Sequence, residues 1–154
     1  MIEEKKYNTM VYKVSDIANK LLEYSASLPE GELMSNMKLQ KMLYYQQGFH
    51  LAYFDEPLFE EDIEAWMYGP VVPCVYDAYQ SYGSNGIEPN GVSVSLEKEE
   101  EALFSEVCRV YGAYSAIGLM NMTHKEKPWK STPTGMGNVI SKSVMKMFFK
   151  KRLK

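Results

Sequence analysis

Apolar residues recur at helical spacing in several separate stretches of this chain, and each stretch predicts one helix. The first helix is expected to start at Ser15, a good N-cap residue, and to stop at Pro29 and Gly31. Its apolar positions are Val14, Ile17, Ala18, Leu21, Leu22 and Leu28. These positions form one stripe, so we expect a helix with a single buried face.

A second helix is predicted over residues 36–54. Part of its buried face is formed by Leu39, Met42, Leu43, Phe49 and Ala52. Gly48 lies inside this helix, where glycine costs about 1 kcal/mol relative to alanine. A glycine at such a position indicates that another backbone approaches the helix closely.

Residues 63–68 alternate in a way that is typical of a short strand. Ile63, Ala65 and Met67 share one predicted face, and Glu64, Trp66 and Tyr68 share the other. Gly69 and Pro70 are expected to end the strand, and Pro73 to open a helix that stops at Gly83. Residues 84–94 contain three glycines or prolines and predict a loop.

Three more helices are predicted in the second half of the chain, with N-caps at Ser95, Ser115 and Ser141. Pro128 and Trp129 are expected to lie in a loop between the last two. The predicted fold is therefore mainly α: about six helices in one compact domain, with a short strand or β-hairpin insert. We expect the domain to take in residues 1–154, with a core at about 15–150.

Charge is distributed unevenly along the chain. Residues 125–154 hold nine Lys or Arg and one acid, Glu126, for a sum of +8, so residues 1–124 must carry −11 to reach the net charge of −3. One interpretation is a basic tail that binds nucleic acid or an acidic partner. The other, which the apolar stripe of Val144, Met145, Phe148 and Phe149 favours, is a basic helix folded against an acidic body.

Candidate catalytic residues are few. His50 and His124 have no motif around them, and Cys74 and Cys108 have no metal-like spacing, so the sequence predicts no metal, no cofactor and no enzyme. Cys74 lies near a predicted helix start, where a thiol pKa can fall, but an inert thiol is the favoured interpretation. The acidic run from Glu97 to Glu101 is expected to be a solvated helix start.

The location of the protein is predicted from two further features. The N-terminus is polar and charged, unlike a secretory signal, and no apolar run reaches the roughly 20 residues that a membrane span needs. The two cysteines fit a reducing compartment. We therefore expect a cytoplasmic protein that has no contact with membranes.

Tyrosine and methionine are abundant, with twelve and eleven copies. Tyrosine is enriched at protein interfaces, and methionine adapts to irregular surfaces. The same residues also fill cores, and composition alone leaves both interpretations open.

Four motifs, in order, resemble the Panacea domain family, which contains SocA-like antitoxins and GepA-like phage-associated proteins. The first two are residues 39–48, LQKMLYYQQG, and residues 63–76, IEAWMYGPVVPCVY. The third is Thr123-His124 followed by Pro128-Trp129, and the fourth is Ile140-Ser141 before the helix with Phe148 and Phe149. Together they extend over about residues 15 to 150.

The resemblance implies a non-enzymatic antitoxin that binds a cognate toxin protein and neutralises it directly or promotes its proteolysis by a protease. The residues it marks as structural or partner-binding are Lys41, Tyr44, Tyr45, Trp66, Tyr68, Gly69, Pro70, His124, Pro128 and Trp129. We expect them to converge around Trp66, and partner specificity to lie on the 84–94 loop and the last helix.

Two alternatives remain open at this point. A phage-associated protein could bind nucleic acid through the basic C-terminal helix, although the sequence pI of about 5.5 makes nucleic acid an improbable partner. An uncharacterised enzyme could use His124 or Cys74 and would need a concave pocket around them. The sequence specifies neither the toxin nor the oligomeric state.

Overall fold

The computed structural model describes residues 7–91 and 93–153. The helices are α1 (Val14–Ser27), α2 (Asn36–Phe54), α3 (Pro73–Ala78), α4 (Lys98–Tyr111), α5 (Ala116–His124), α6 (Lys127–Lys130) and α7 (Lys142–Lys150). The strands are β1 (Glu64–Trp66) and β2 (Gly69–Val71), and a short 3-10 helix covers Gln80–Tyr82. The predicted mainly α fold with a hairpin insert is confirmed.

Helix α2 forms the centre of the fold, with α1, α4, α5, α7 and β2 packed around it. Its polar side chains are buried as well as its apolar ones, so they need partners inside the protein. Gln47 receives a hydrogen bond from Leu58 N and donates one to Phe59 O. Gln46 donates to Phe104 O on α4. These bonds allow a helix with polar residues on every side to occupy the middle of the core.

Serine caps explain some helix starts but not others. The predicted caps Ser115 and Ser141 are confirmed, since their hydroxyls accept from Gly118 N and Val144 N. The predicted caps Ser15 and Ser95 are wrong. Helix α1 begins at Val14, one residue before Ser15, and α4 begins at Lys98, so Glu97 takes the cap position without a side-chain bond.

Gly48 is explained by an aromatic ring and not by a neighbouring backbone, which corrects the prediction. A Cβ built at Gly48 would lie 2.2 Å from two ring carbons of Phe149 on α7. Glycine in α2 therefore lets Phe149, which is fully buried, pack directly against the helix backbone. The last helix is held in the core by this contact.

The hairpin extends beyond the predicted strand. Gly69 and Pro70 do not end it but lie in β2, where they pair with Trp66 and Ala65. The predicted alternation is confirmed at buried Ile63 and Ala65 but wrong at Met67, because the chain turns there and exposes it.

A loop after α6 covers the free edge of the hairpin. Ala65 N donates to Asn138 O at 2.9 Å, and Gly135 N donates to Ala65 O at 2.8 Å. Ile140 N donates to Ile63 O at 2.8 Å. These bonds hold residues 135–140 beside the hairpin, and Gly135 and Met136 at the start of this segment line the cavity described below.

The basic C-terminal helix folds against the acidic body, as its apolar stripe predicts. Lys142 pairs with Asp62 at 3.2 Å, and Lys146 and Lys150 both pair with Asp55, at 2.9 and 3.0 Å. Much of the positive charge of this helix is therefore compensated within the protein. Among the described helices, none has the length and apolar character that a membrane crossing requires.

Candidate partner-binding site

Lys41 has an unusual position for a charged residue, because its side chain is only 1% exposed. Its ammonium donates to Pro70 O at 3.2 Å. Burial lowers the Lys41 pKa from its usual 10.5 to about 7. Within residues 7–91 and 93–153, no carboxylate forms an ion pair with it.

Gly69 is the residue of the hairpin that lets Lys41 fit. Its φ of +111° disfavours other residues, and an added Cβ would lie 2.7 Å from Lys41 Cε and 2.9 Å from Thr123 Oγ1. The hairpin therefore closes over the lysine stem at a place where only glycine leaves room. The adjacent Pro70 carbonyl is the acceptor described above, so the motif residues of α2 and of the hairpin meet here.

Tyr44 and Tyr45 are completely buried and serve an internal network. Both hydroxyls donate to the carboxylate of Glu126 at 3.0 Å, and Arg152 pairs with the same carboxylate at 3.1 Å. Burial raises the Glu126 pKa, although the arginine and the two hydroxyls oppose that shift. The network ties α2 to the α5–α6 junction and to the end of α7.

Trp66, His124 and Trp129 come together in the structure. Trp129 Nε1 donates to Trp66 O at 2.9 Å, and the His124 ring stacks on Trp129 with centroids 4.2 Å apart. His124 Nε2 is buried and has no hydrogen-bond partner among the described residues. Trp66 itself is half-buried, so the centre of the core is α2 and not Trp66.

Pro128 and Trp129 lie in a short helix, α6, and not in the predicted loop. Proline fits the first turn of a helix because its missing N–H has no partner there in any case. Pro128 is buried and Trp129 is half-buried, which places both against the body of the protein. This turn brings Trp129 under the hairpin.

A cavity of about 900 Å³ opens beside these residues. Lys41, Gln40 and Asn36 of α2, Trp66 of β1 and Tyr76 of α3 contribute to its lining. Four apolar residues of the lining are strongly exposed, and we call them the apolar rim. Their exposed fractions are 67% for Met67, 60% for Tyr68, 56% for Ile117 and 79% for Met136. Exposed apolar groups next to one another are typical of protein interaction sites.

Sequence reasoning found only part of this site. Tyr68 is one of the motif residues, whereas Met67 was expected on a buried face. Ile117 and Met136 carried no prediction. The sequence does contain a signal that these two residues could be exposed, because neither belongs to an apolar stripe. Ile117 lies in the first turn of α5, and Met136 lies between Gly135 and Gly137.

The acidic run on α4 is not fully solvated, which corrects the prediction. Glu100 is buried, and its carboxylate lies 2.5 Å from His50 Nε2 and accepts a bond of 2.7 Å from the Tyr12 hydroxyl. His50 Nδ1 lies 2.6 Å from Glu56 O. His50 and Glu100 therefore form an enclosed polar contact between α2 and α4.

The thiols offer no activated nucleophile. Burial raises the Cys108 pKa to about 12, and burial is also the main reason that the Cys74 pKa is raised and not lowered. The low-pKa interpretation of Cys74 is therefore wrong. Within the described residues, no three His, Cys, Asp or Glu side chains are grouped closely enough to hold a metal ion.

Comparisons with known proteins agree with these motifs. The model of the family "Antitoxin SocA-like, Panacea domain" matches residues 39–130, which extend from α2 through α6. Antitoxin SocA of Caulobacter vibrioides (strain NA1000 / CB15N) is 30% identical over 134 residues, covering 79% of this chain and 70% of that protein. No solved structure matches the chain. The chain therefore belongs to the SocA-like antitoxin family, with a Panacea domain at its centre.

Proposed function

We propose that this protein is an antitoxin that binds a toxin protein directly and has no catalytic activity of its own. The observation that supports the proposal is the relationship to Antitoxin SocA together with the family match over residues 39–130. A cognate toxin, a phage or prophage association and a cytoplasmic location are further parts of this proposal.

The apolar rim is the surface that we propose for toxin contact. The alternatives raised by the sequence, the 84–94 loop and the last helix, have weaker support. The cations of the last helix are engaged within the protein, since Lys142 pairs with Asp62 and both Lys146 and Lys150 pair with Asp55. The described residues of the 84–94 loop present no strongly exposed large apolar side chain, and Ile87 is buried. An apolar patch of this kind loses water on contact, and the removal of apolar surface from water favours association.

The test is co-expression with the product of the neighbouring gene, followed by a pull-down and a growth-rescue assay. We expect a stable complex and restored growth. Rescue that depends on a cellular protease, with only transient binding, would support neutralisation by proteolysis in place of masking. Neither binding nor rescue would refute the antitoxin role.

Matched variants locate the contact. Met67→Asp with Ile117→Asp places two charges on the apolar rim, at positions where exposure limits the effect on folding. Met147→Asp is the control, because Met147 is also 67% exposed but lies on α7, outside the cavity lining. We expect the double variant to lose binding and rescue and the control to keep both. Equal behaviour of the two would exclude the apolar rim as the contact surface.

A further inference from the structure

Among the described residues, Lys41 is the only cation that lines the cavity, and it retains hydrogen-bonding capacity. An ammonium group has three N–H donors, and among the described residues Lys41 uses one of them, toward Pro70 O. A buried charge without a counter-charge is costly, so a carboxylate placed beside it would be strongly favoured. Burial accounts for the lowered Lys41 pKa, and no carboxylate in the described part of the chain offsets it.

The two amide side chains that α2 contributes to the cavity lining, Gln40 and Asn36, are already engaged within the fold. Gln40 donates to Asn36 Oδ1 at 2.9 Å and accepts from Val72 N at 2.8 Å. Asn36 donates to Tyr76 O at 3.1 Å. An occupant that enters the cavity would therefore meet Lys41 as its charged partner, with these amides serving the protein itself.

The remaining surroundings of the cavity select for apolar groups. Met37, Trp66 and Val71 add apolar surface to the walls, and a volume of about 900 Å³ accommodates more than one side chain. The apolar rim extends this surface beyond the cavity mouth, where it is open to solvent. A small molecule confined to the cavity would leave the rim uncovered, whereas a polypeptide segment would cover both.

We propose that this cavity receives a segment of a partner protein in which an aspartate or glutamate is flanked by apolar side chains. The carboxylate pairs with the Lys41 ammonium, and the neighbouring apolar side chains pack on Met37, Trp66 and the apolar rim. The inference rests on the proposed function and deepens it, since the toxin would supply the segment. Flexible methionines in the wall and rim allow the surface to adjust to the segment that enters.

The test is selection of random heptapeptides, displayed on phage, against the wild-type protein and the Lys41→Met variant. Lys98→Met is the matched control, because Lys98 is an exposed lysine at the start of α4, away from the cavity lining. We expect the selected peptides to share an acidic residue next to aromatic or aliphatic ones. Their affinity should fall about tenfold or more for Lys41→Met, and also when the peptide acid is changed to its amide, but not for Lys98→Met.

The binding place is checked by NMR of protein labelled in its methionine methyl groups. A synthetic copy of the selected peptide should shift the signals of Met37, Met67 and Met136 and leave that of Met147 on α7 unchanged. Urea unfolding of Lys41→Met establishes that the variant is folded before its binding is compared.

Four outcomes of these experiments overturn the inference: no peptide is selected, the selected peptides lack an acidic residue, wild type and Lys41→Met bind with equal affinity, or the methionine shifts fall outside the cavity. The inference is also overturned if 3-phenylpropionate, a small carboxylate with an aromatic ring, binds as tightly as the peptide. That result would identify the cavity as a small-molecule site. The selection does not involve the toxin. Growth rescue without peptide binding would therefore refute the acidic-segment inference and leave the antitoxin role intact. Peptide binding without growth rescue would refute the antitoxin role.

Discussion

Lys41→Met should change both the stability of the protein and its dependence on pH. The Lys41 pKa is about 7 in the folded protein and 10.5 for an ordinary lysine, a difference of about 3.5. Between these values the unfolded chain binds a proton that the folded protein does not, so the free energy of unfolding rises with pH. At about 1.4 kcal/mol per pKa unit, the whole rise is worth roughly 5 kcal/mol.

Methionine has a similar length and no charge. Lys41→Met therefore removes the pH-dependent contribution of Lys41 to the free energy of unfolding, and it also removes the hydrogen bond to Pro70 O. Even a buried ion pair that is replaced by apolar side chains of similar volume often gives a protein that is about 1–4 kcal/mol more stable. A buried charge without a counter-charge carries a desolvation cost that no ion pair offsets, so its removal acts in the same direction. We expect Lys41→Met to be the more stable protein near pH 7. Its advantage should shrink as the pH rises, because the wild-type lysine then loses its proton in the folded state.

The assay is urea unfolding of wild type, Lys41→Met and the exposed control Lys98→Met at about pH 7, 8 and 9. Over these two pH units the difference between wild type and Lys41→Met should close by roughly 2–3 kcal/mol. Measurements stay below about pH 10, because buried Tyr44 and Tyr45 have raised pKa values and oppose the trend above it. Parallel pH profiles for wild type and Lys41→Met would refute the reasoning.

Three other substitutions test the packing, each by urea unfolding. Gly48→Ala should cost about 1–3 kcal/mol by overpacking against an aromatic ring of α7. Gly118→Ala should cost less, because its added Cβ would come closest to the Ser115 hydroxyl oxygen, at 3.2 Å, and would meet no buried ring; equal effects would contradict the packing account. Glu126→Ala should cost about 2–4 kcal/mol, because the two buried tyrosine hydroxyls and the partly exposed Arg152 lose their acceptor. Glu126→Gln should cost less. An unchanged urea midpoint for Glu126→Ala would exclude a stabilising role for the Glu126 network. Trp129→Phe should cost about 1 kcal/mol, because phenylalanine cannot donate the hydrogen bond to Trp66 O. An unchanged free energy of unfolding would show that this hydrogen bond is not stabilising.

Local signals in the sequence were sufficient for much of the secondary structure. The bounds predicted for α2, residues 36–54, agree with the structure, as do the start of α3 at Pro73 and the caps at Ser115 and Ser141. These features depend on capping, proline placement and hydrophobic period, which act within a few residues. The exceptions, Ser15 and Ser95, show that a good cap residue near a helix start does not have to occupy the cap.

Burial of polar residues could not be derived in the same way. Lys41, Gln46, Gln47 and His50 break the apolar stripe of α2, and local pattern would place them in solvent. They are buried because helices and a strand surround α2 on several sides, and most of their partners come from distant parts of the chain. Glu100 is a similar case, because its buried carboxylate contacts His50, fifty positions away in sequence, and Tyr12, 88 positions away.

The sequence by itself determined the fold class, most helix positions and, through its motifs, the family. Only the tertiary structure decided that Lys41 is enclosed beside a cavity, that Tyr44 and Tyr45 serve Glu126, and that the apolar rim gathers residues from three separate segments. The physical reason is that helical period, turns and caps are properties of neighbouring residues. Desolvation, ion pairing and cavity shape arise only where distant segments meet.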